Sequence, residues 1–508
     1  MKFVENIRQH KLIIIAFVLM VFAFQPFKAG FESGHHGWVS AHTLAQISNA
    51  TPENNFLGFT QKTLTEGKED YLYFDRYPFF FAGGMNLILS TVWDRLDLTI
   101  YLARQLMNVI FILSGLLVLR LCRKIFRDPV KAMYVTAFVI SSSLLIKYKD
   151  MVHFDQPALL GCLLVLNGIV DFEWERKKKY LLIGAILGSL LGRGYAVVFF
   201  LAGWIIVCLI REWKIHKKII PTIKALPLLY LIVSVPLPAL FLANNISSEA
   251  KIRNIEWKET SIVVSAKHRL GLMNYKTKDA VEKKFSWGSY ISNQIQRTFD
   301  YFTPYSLYGL HVKNFKEKLL HYTSLLPKAI YQMLLLFLFI KFFRGWWREQ
   351  DEKTKWIYYS LSSGGFLWLI VMRNLANYHE YVSLYLIGLV ILVWSFLVDQ
   401  LQRTKWKLKP LVLTVVLTSL ALHSVWGWRE AMKVNWQSSE FQKMRKELKA
   451  SNTQRVYLTP STETFFLDGV KWGDSFLLSG FTIVHERELA QKQITRVDST
   501  DGIRLNLD

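Results

Sequence analysis

Cysteine is scarce in this sequence, and its scarcity argues against two common kinds of protein. Only three of the 508 residues are cysteines, Cys122, Cys162 and Cys208, and each lies in or beside an apolar block. No two of them have the spacing of a metal-binding pair, and this arrangement is not that of a disulfide-rich secreted domain. The chain also contains no internal repeat. We therefore look to its apolar residues for the organisation of the fold.

Charged residues are also few, at 20% of the chain, whereas hydrophobic residues make up 52%. This composition argues against a disordered or fibrous protein. The apolar residues form long uncharged runs, for example at 12–24, 226–243 and 381–398. Runs of this length can span the hydrocarbon core of a bilayer, and several of them in one chain predict a polytopic membrane protein.

Acidic residues are outnumbered by basic ones, 39 to 62, which gives a net charge of +23. A nucleic-acid-binding protein would gather its basic residues on one soluble face, and we expect no nucleic-acid partner. Here Lys and Arg cluster between the apolar blocks. By the positive-inside rule these clusters are cytoplasmic, and membrane lipids with anionic headgroups are their expected partners. The clusters lie at 1–11, 119–131, 173–179, 211–224, 341–355 and 401–409.

The same rule sets the predicted topology. The apolar segment 78–93 resembles a span, but a full crossing there would place the basic stretch 120–131 outside. Because Pro78 begins this segment and Gly83 and Gly84 lie within it, we interpret it as a re-entrant or interfacial helix on the external side. The remaining apolar segments predict spans at about 12–28, 106–120, 132–147, 157–172, 180–192, 195–210, 225–244, 326–343, 356–372, 381–399 and 410–427.

The predicted fold class is therefore an all-α polytopic membrane protein of about 11 transmembrane helices. The transmembrane domain covers 1–427, with external loops at 29–105 and 245–325. The amino terminus is expected in the cytoplasm and the carboxyl terminus outside. Residues 428–508 predict a small external α/β region. It has a helical stretch near 436–450 and strand-like runs at 455–458 and 481–484.

Ionisable residues gather at the predicted outer face, beginning with Glu32 directly after the first span. A partly desolvated carboxylate gains basicity, which favours a catalytic role. His35 and His36 follow, and they could orient an acceptor, hold phosphate, or bind a metal together with Glu32. The alternative is that Trp38 and the histidines anchor the chain at headgroup level.

Asp155 begins the fourth predicted span, where an acid is either a functional group or a helix N-cap. Asp150 is the other acid of the same loop. Arg193 lies between Gly192 and Gly194 in an apolar stretch. An arginine there needs an anionic partner, which is either a carboxylate of this chain or the phosphate of a lipid.

Two further cationic segments face the same compartment. Arg76, which precedes Pro78, either binds a phosphate or pairs with Asp75 at a helix start. Arg373 and His379 lie in the last short external turn, which is either part of a site or an ordinary polar loop.

The order of these motifs over roughly residues 1–400 resembles that of the GT-C glycosyltransferases. Examples of this superfamily are the protein O-mannosyltransferases and the lipid A aminoarabinose transferases. The shared features are the acid after the first span and the motifs YFDRYPFFF (73–81), HFDQP (153–157), LLGRGY (190–195) and NYHEYVSLYL (377–386). The chain departs from the pattern at Glu32, a lone glutamate followed by Ser33 where the family usually has aspartate.

The resemblance implies an enzyme of the bacterial inner membrane that uses a polyprenyl-phosphate-linked sugar and transfers it, with inversion, to a glycan, lipid or protein acceptor on the outer face. It implies catalytic roles for Glu32 and Asp155. The substrate-binding residues that we predict are His35, His36, Arg76, Arg193, Arg373 and His379. No cofactor is certain, and a divalent metal stays open because the family has members with and without one.

Three alternative functions stay open. They are a transporter or flippase of lipid-linked saccharide, a non-catalytic envelope assembly protein, and an oligosaccharide polymerase or ligase with a lipid diphosphate donor. Deep intramembrane charges and inverted repeats would favour the transporter, and the sequence shows neither clearly.

Overall fold

The structure is a computed structural model. It describes residues 35–50, 58–65, 68–72, 79–93, 95–126, 128–175, 177–191, 195–217, 235–272, 275–276, 282–283, 286–302, 315–378, 380–403, 443, 446–450, 455–458, 482–485 and 503–505. The predicted spans at 12–28 and 410–427 and the first part of the one at 225–244 lie outside these residues.

The described part of the chain is mostly helical, in agreement with the predicted fold class. Its α-helices are α1 His35–Ser48, α2 Phe79–Leu89, α3 Leu96–Ile125, α4 Pro129–Ile140, α5 Ser143–Tyr148, α6 Asp155–Glu175, α7 Lys178–Leu191, α8 Tyr195–His216, α9 Pro236–Arg253, α10 Ser261–Arg269, α11 Trp287–Asp300, α12 Phe315–Glu349, α13 Glu352–Val371, α14 Arg373–Tyr378 and α15 Ile387–Arg403. Short 3₁₀ segments lie at Trp257–Glu259 and Glu380–Leu386.

Four described helices are long and apolar enough to cross a membrane: Leu98–Ile125, Asp155–Glu175, Ala196–His216 and Tyr381–Arg403. These support an integral membrane protein, while the predicted number of eleven crossings stays a prediction. Helix α2, with 11 residues, is about 17 Å long, well short of the hydrocarbon core. That the segment 78–93 does not cross stays a prediction.

Several helix bounds differ from those predicted. The expected span 132–147 is two helices, α4 and α5, because Ser142 has extended backbone between them. Serine side chains compete for backbone hydrogen bonds, so a serine run disfavours a continuous helix. Helix α3 begins at Leu96, inside the predicted external loop 29–105, and includes Arg104. That arginine pairs with Asp150 inside the protein, so its charge does not mark a helix end.

Short strands form two sheets. The strands are β1 Gln61–Thr65, β2 Lys68–Leu72, β3 Tyr275–Lys276, β4 Glu282–Lys283, β5 Arg455–Leu458, β6 Thr482–His485 and β7 Ile503–Leu505. The larger sheet has the order β2-β1-β6-β5-β7, and β3 pairs with β4 in the smaller one. Strands β1 and β2 form an antiparallel hairpin, whereas β6 runs parallel to both β1 and β5.

This larger sheet joins two distant parts of the chain. Strands β5 and β6 lie where the sequence predicted strands, and they pair with a hairpin from the predicted first external loop. Of the helix expected near 436–450, residues 443 and 446–450 are described and are helical. The assignment of 428–508 as a separate external domain stays a prediction.

Helices α6 and α7 form a hairpin held together by glycine. A Cβ atom on Gly161 would lie 2.7 Å from the carbonyl oxygen of Gly188, and one on Gly184 would lie 2.7 Å from that of Leu164. Only glycine allows such an approach, and small residues are the usual means by which membrane helices pack closely. Helix α6 thus packs closely against α7, and it also contacts α3 and α8.

Glycines also bring the segment Glu380–Leu386 against α13. Cβ atoms on Gly365 and Gly388 would collide with the carbonyl oxygens of Tyr385 and Leu361, respectively. On the other face of α13, a Cβ on Gly364 would lie 2.5 Å from the Cα atom of Phe200 in α8. These contacts fix the position of Tyr385, which forms part of the site described below.

Ion pairs join the helices at the carboxyl-terminal end of α6, near Glu175. Arg120 of α3 lies 2.6 Å from Asp171, and Arg211 of α8 lies 2.8 Å from Glu173. Because α6 has 21 residues, this end lies about 30 Å from Asp155. We name it the inner end, following the predicted cytoplasmic position of its basic residues, and the Asp155 end the outer end.

Candidate active site

The carboxylate of Asp155, at the outer end of α6, is buried and bound at both oxygens. The hydroxyl of Tyr385 donates a hydrogen bond of 2.7 Å to Oδ1. The Nδ1 atom of His153 lies 2.5 Å from Oδ2. The site thus contains a carboxylate, an imidazole and a phenol in direct contact.

Aromatic rings enclose this group. The ring centroid of His153 lies 4.0 Å from that of Phe154 and 5.6 Å from that of Tyr381, in an edge arrangement. The ring of Tyr381 also contacts Tyr148 at 5.9 Å. We refer to His153, Asp155, Tyr381 and Tyr385 as the Asp155 site.

The contact between His153 and Asp155 joins an imidazole nitrogen, Nδ1, directly to a carboxylate oxygen. In a pair of this kind the carboxylate orients the imidazole ring and stabilises positive charge on it, which suits the ring to act as a general base. The Asp155 site is therefore equipped to accept a proton from a hydroxyl group.

A second buried group lies just before it in the chain. Arg104 of α3 and Asp150 approach to 3.9 Å, and both are fully buried. Lys149 Nζ donates to Asn108 Oδ1 at 3.1 Å. Burial is the main reason that the pKa of Lys149 is lowered to about 8; Asp150 opposes the change, and Arg104 adds to it. We call Arg104, Asn108, Lys149 and Asp150 the Arg104 cluster.

Helix α1 packs against the segment between these two groups. The backbone N–H of Val152 donates to Ser40 Oγ at 3.1 Å. His35 and His36 are the first two residues of α1. This predicted pair therefore belongs to the helix that contacts the loop before Asp155. Their side chains lie outside what the structure describes.

Helix α11, from the predicted second external loop, holds the turn that carries Tyr385. Tyr290 Oη donates to the carbonyl oxygen of Leu369, and Gln294 Nε2 donates to that of Ala376, both at 2.7 Å. Just after α11, Tyr301 Oη donates to the carbonyl oxygen of Ser383 at 2.7 Å. The predicted external loop thus contributes rigid helical support to the site.

Arg373 lies in this supporting layer. Its guanidinium carbon lies 5.8 Å from the ring centroid of Trp287, and a Cβ on Gly271 would lie 2.9 Å from its Nε. Gly271 has φ +72°, a conformation that suits glycine. These contacts are with α11 and with the turn after α10. The predicted substrate-binding role of Arg373 stays a prediction.

The other predicted site residues, Glu32, Arg76, Arg193 and His379, lie outside the described residues. Among the described residues, no group of three or more His, Cys, Asp or Glu side chains could hold a metal ion. The metal hypothesis built on Glu32, His35 and His36 therefore stays open.

Sequence reasoning did not single out His153, Tyr385, Arg104 or Lys149. His153 stands in the quoted motif HFDQP, and its position two residues before Asp155 was an available signal. Tyr385 stands in the last quoted motif, but nothing in the sequence indicated its partner. Arg104 was assigned to a loop.

The fold of the chain is similar to that of one solved membrane enzyme structure. ArnT from Cupriavidus metallidurans, whose crystal structure was solved bound to undecaprenyl phosphate, aligns with the chain at a TM-score of 0.50 and 10% identity. The alignment covers 97% of this chain and 88% of ArnT. No protein-family model and no curated protein sequence matches the chain. At this identity the likeness concerns the fold.

Proposed function

We propose that the chain is a membrane glycosyltransferase that moves a sugar from a polyprenyl-phosphate carrier to an acceptor on the outer face. The observation that carries the proposal is the contact of Asp155 with His153 and Tyr385 at one end of an ArnT-like fold. That ArnT was solved with undecaprenyl phosphate supports a carrier of the same chemical class.

The proposed reaction is a direct displacement at the anomeric carbon. His153 Nε2 removes the proton of the acceptor hydroxyl as its oxygen attacks the sugar. A new bond forms between the acceptor oxygen and the anomeric carbon, and the bond from that carbon to the carrier phosphate breaks. Attack opposite to the leaving phosphate inverts the anomeric centre. Asp155 stabilises the imidazolium, and Tyr385 holds Asp155 in place.

Positive charge at the outer end would stabilise the departing phosphate. The Arg104 cluster has two basic side chains and one acid, so when Lys149 is protonated it favours a negative charge nearby. In our proposal Arg76 and Arg193 contact the phosphate, and His35, His36, Arg373 and His379 line the substrate region. Glu32 is the second proposed catalytic carboxylate.

The test is sugar transfer from a polyprenyl-phosphate-linked donor in membranes that contain the full chain. Removal of a general base or of the acid that supports it typically costs 10²–10⁴-fold in rate, so we expect losses of about this size for Asp155→Asn and His153→Gln. The matched control is Asp399→Asn at the inner end, whose carboxylate also accepts from two side chains, Lys131 and Trp346. We expect that control to retain transfer.

The alternatives give different results in the same membranes. If Asp155→Asn and Glu32→Gln both keep full transfer activity, the catalytic assignment of these residues fails. A flippase would move lipid-linked saccharide across proteoliposomes without forming a new glycosidic bond. A polymerase or ligase would accept a lipid diphosphate donor in place of the monophosphate.

A further inference from the structure

A cleft of about 420 Å³ opens at the inner end of the bundle, far from the Asp155 site. It is lined by Leu116, Leu119, Arg120, Arg123 and Lys124 of α3, and we call it the basic cleft. These positions lie on one face of a helix, because they recur at the spacing of three and four residues. The face is apolar toward the membrane centre and basic toward the membrane surface.

The apolar part of this face continues along α3. Val109, Leu113 and Leu116 are each about half exposed in the structure, as expected for side chains that contact lipid chains. The basic part begins one helical turn after Leu116. The change from leucine to arginine and lysine therefore follows the change from acyl chain to headgroup across a leaflet.

A second helix, α7, carries further basic residues near the cleft. Helix α7 begins with exposed lysines at 178 and 179, preceded by Lys177. Further along, Ile183 and Leu187 are exposed on its apolar part. The guanidinium of Arg120 lies 5.8 Å from the ring centroid of Tyr180 in α7, which joins the two basic helix ends.

The acids nearby neutralise only part of this charge. Arg120 pairs with Asp171, and Lys124 pairs with Asp171 and Glu175. Within the part of the chain that the structure describes, Arg123 has no ion pair, and it is exposed. The cleft therefore has excess positive charge next to the exposed side chains of Leu113 and Leu116.

We propose that the basic cleft binds an anionic phospholipid of the inner leaflet. Its phosphate contacts Arg123 between the basic ends of α3 and α7, and its acyl chains lie along Leu116 and Leu113. Charge complementarity selects the headgroup, and basic pockets between membrane helices on the cytoplasmic side are suited to such lipids. The site does not depend on glycosyl transfer.

The experiment measures lipid binding to the purified full chain by native mass spectrometry, with phosphatidylglycerol and phosphatidylcholine as probes. We expect phosphatidylglycerol to be retained preferentially. Because each basic residue near a membrane surface contributes about 1 kcal/mol, Arg123→Gln should weaken that binding about fivefold. The thermal unfolding of lipid-free Arg123→Gln should match that of the parent, since the side chain is exposed.

Arg348→Gln is the matched control, because Arg348 is also exposed at the inner end but lies on α12. An equal loss in both variants would mean general attraction to an anionic surface and would overturn the site. Equal retention of phosphatidylglycerol by Arg123→Gln and the parent would overturn it as well. Inorganic phosphate is added in a third arm, and if it displaces phosphatidylglycerol at millimolar concentration, the cleft is a simple anion site rather than a lipid site.

Discussion

Tyr385 donates its phenolic hydrogen to Asp155 at 2.7 Å across a sequence separation of 230 residues. This bond connects the start of α6 with the 3₁₀ segment before α15. The carboxylate at the centre of the proposed site therefore depends on the packing of α13 and α15 as much as on its own helix.

Replacement of Tyr385 by Phe tests this dependence. The variant leaves a charged acceptor without its donor, at a cost of about 1.5–3 kcal/mol, and we expect a lower melting temperature together with a fall in kcat at similar KM. A double-mutant cycle with Asp155→Asn should be non-additive, because the two side chains are in contact. Tyr359→Phe, at an exposed position of α13, is the control and should be neutral.

The lowered pKa of Lys149 predicts how the stability of the fold depends on pH. Its pKa is about 8 in the folded protein, below the ordinary value of 10.5, because of burial. The unfolded chain therefore binds more protons between these two values, and this lysine makes folding more favourable as pH rises through that window, by up to about 3 kcal/mol.

The measurement compares melting temperatures of the parent and Lys149→Met from pH 7 to pH 10. The difference between the two proteins should change in favour of the parent as pH rises, since the variant has no charge to lose at this position. Parallel curves would show that Lys149 titrates normally.

Gly388→Ala tests the close packing behind Tyr385. A Cβ there would collide with the carbonyl oxygen of Leu361, so α13 and α15 must separate. We expect a loss of about 1–3 kcal/mol in stability and reduced transfer activity. At Gly345 in α12 a Cβ would meet nothing within 4 Å, and Gly345→Ala should be neutral or slightly stabilising. Equal melting temperatures for the two variants would refute this packing.

The strand order of the larger sheet is tested by cysteine cross-linking. Lys62 is registered with Thr482, and Thr482 with Arg455, so residues 62 and 455 are two strands apart. Strands lie about 4.8 Å apart, within the range of a disulfide, whereas two strand spacings exceed it. Oxidation should join Lys62→Cys to Thr482→Cys but not to Arg455→Cys, as seen on non-reducing gels after proteolysis. The native cysteines are buried and should not interfere.

The sequence predicted the bounds of one apolar helix closely, since the span expected at 356–372 is helix Glu352–Val371. The Gly364-Gly365 pair within it does not end the helix, and both glycines lie where neighbouring segments pack closely. The break at Ser142 was missed, since a short serine run lowers apolar character only slightly while it permits an extended residue.

The sequence indicated single candidate residues of the site but not which residues contact one another. Asp155 was found because an acid at the edge of an apolar run is costly unless it has a partner. The partner of Asp155 could not be predicted, because Tyr385 is brought to Asp155 by the close packing of glycines on α13 and α15. Arg104 was misplaced in a loop for a similar reason, since its partner Asp150 comes from another segment.

The parallel pairing of β1 with β6 has a consequence for biosynthesis. Both strands must reach the same compartment, so the chain between them crosses the bilayer an even number of times. A ribosome adding 5–20 residues per second makes β6 about 20–80 seconds after β1. Throughout that interval the edge of β1 that later pairs with β6 is uncovered, and we expect the hairpin to need protection from pairing with other chains.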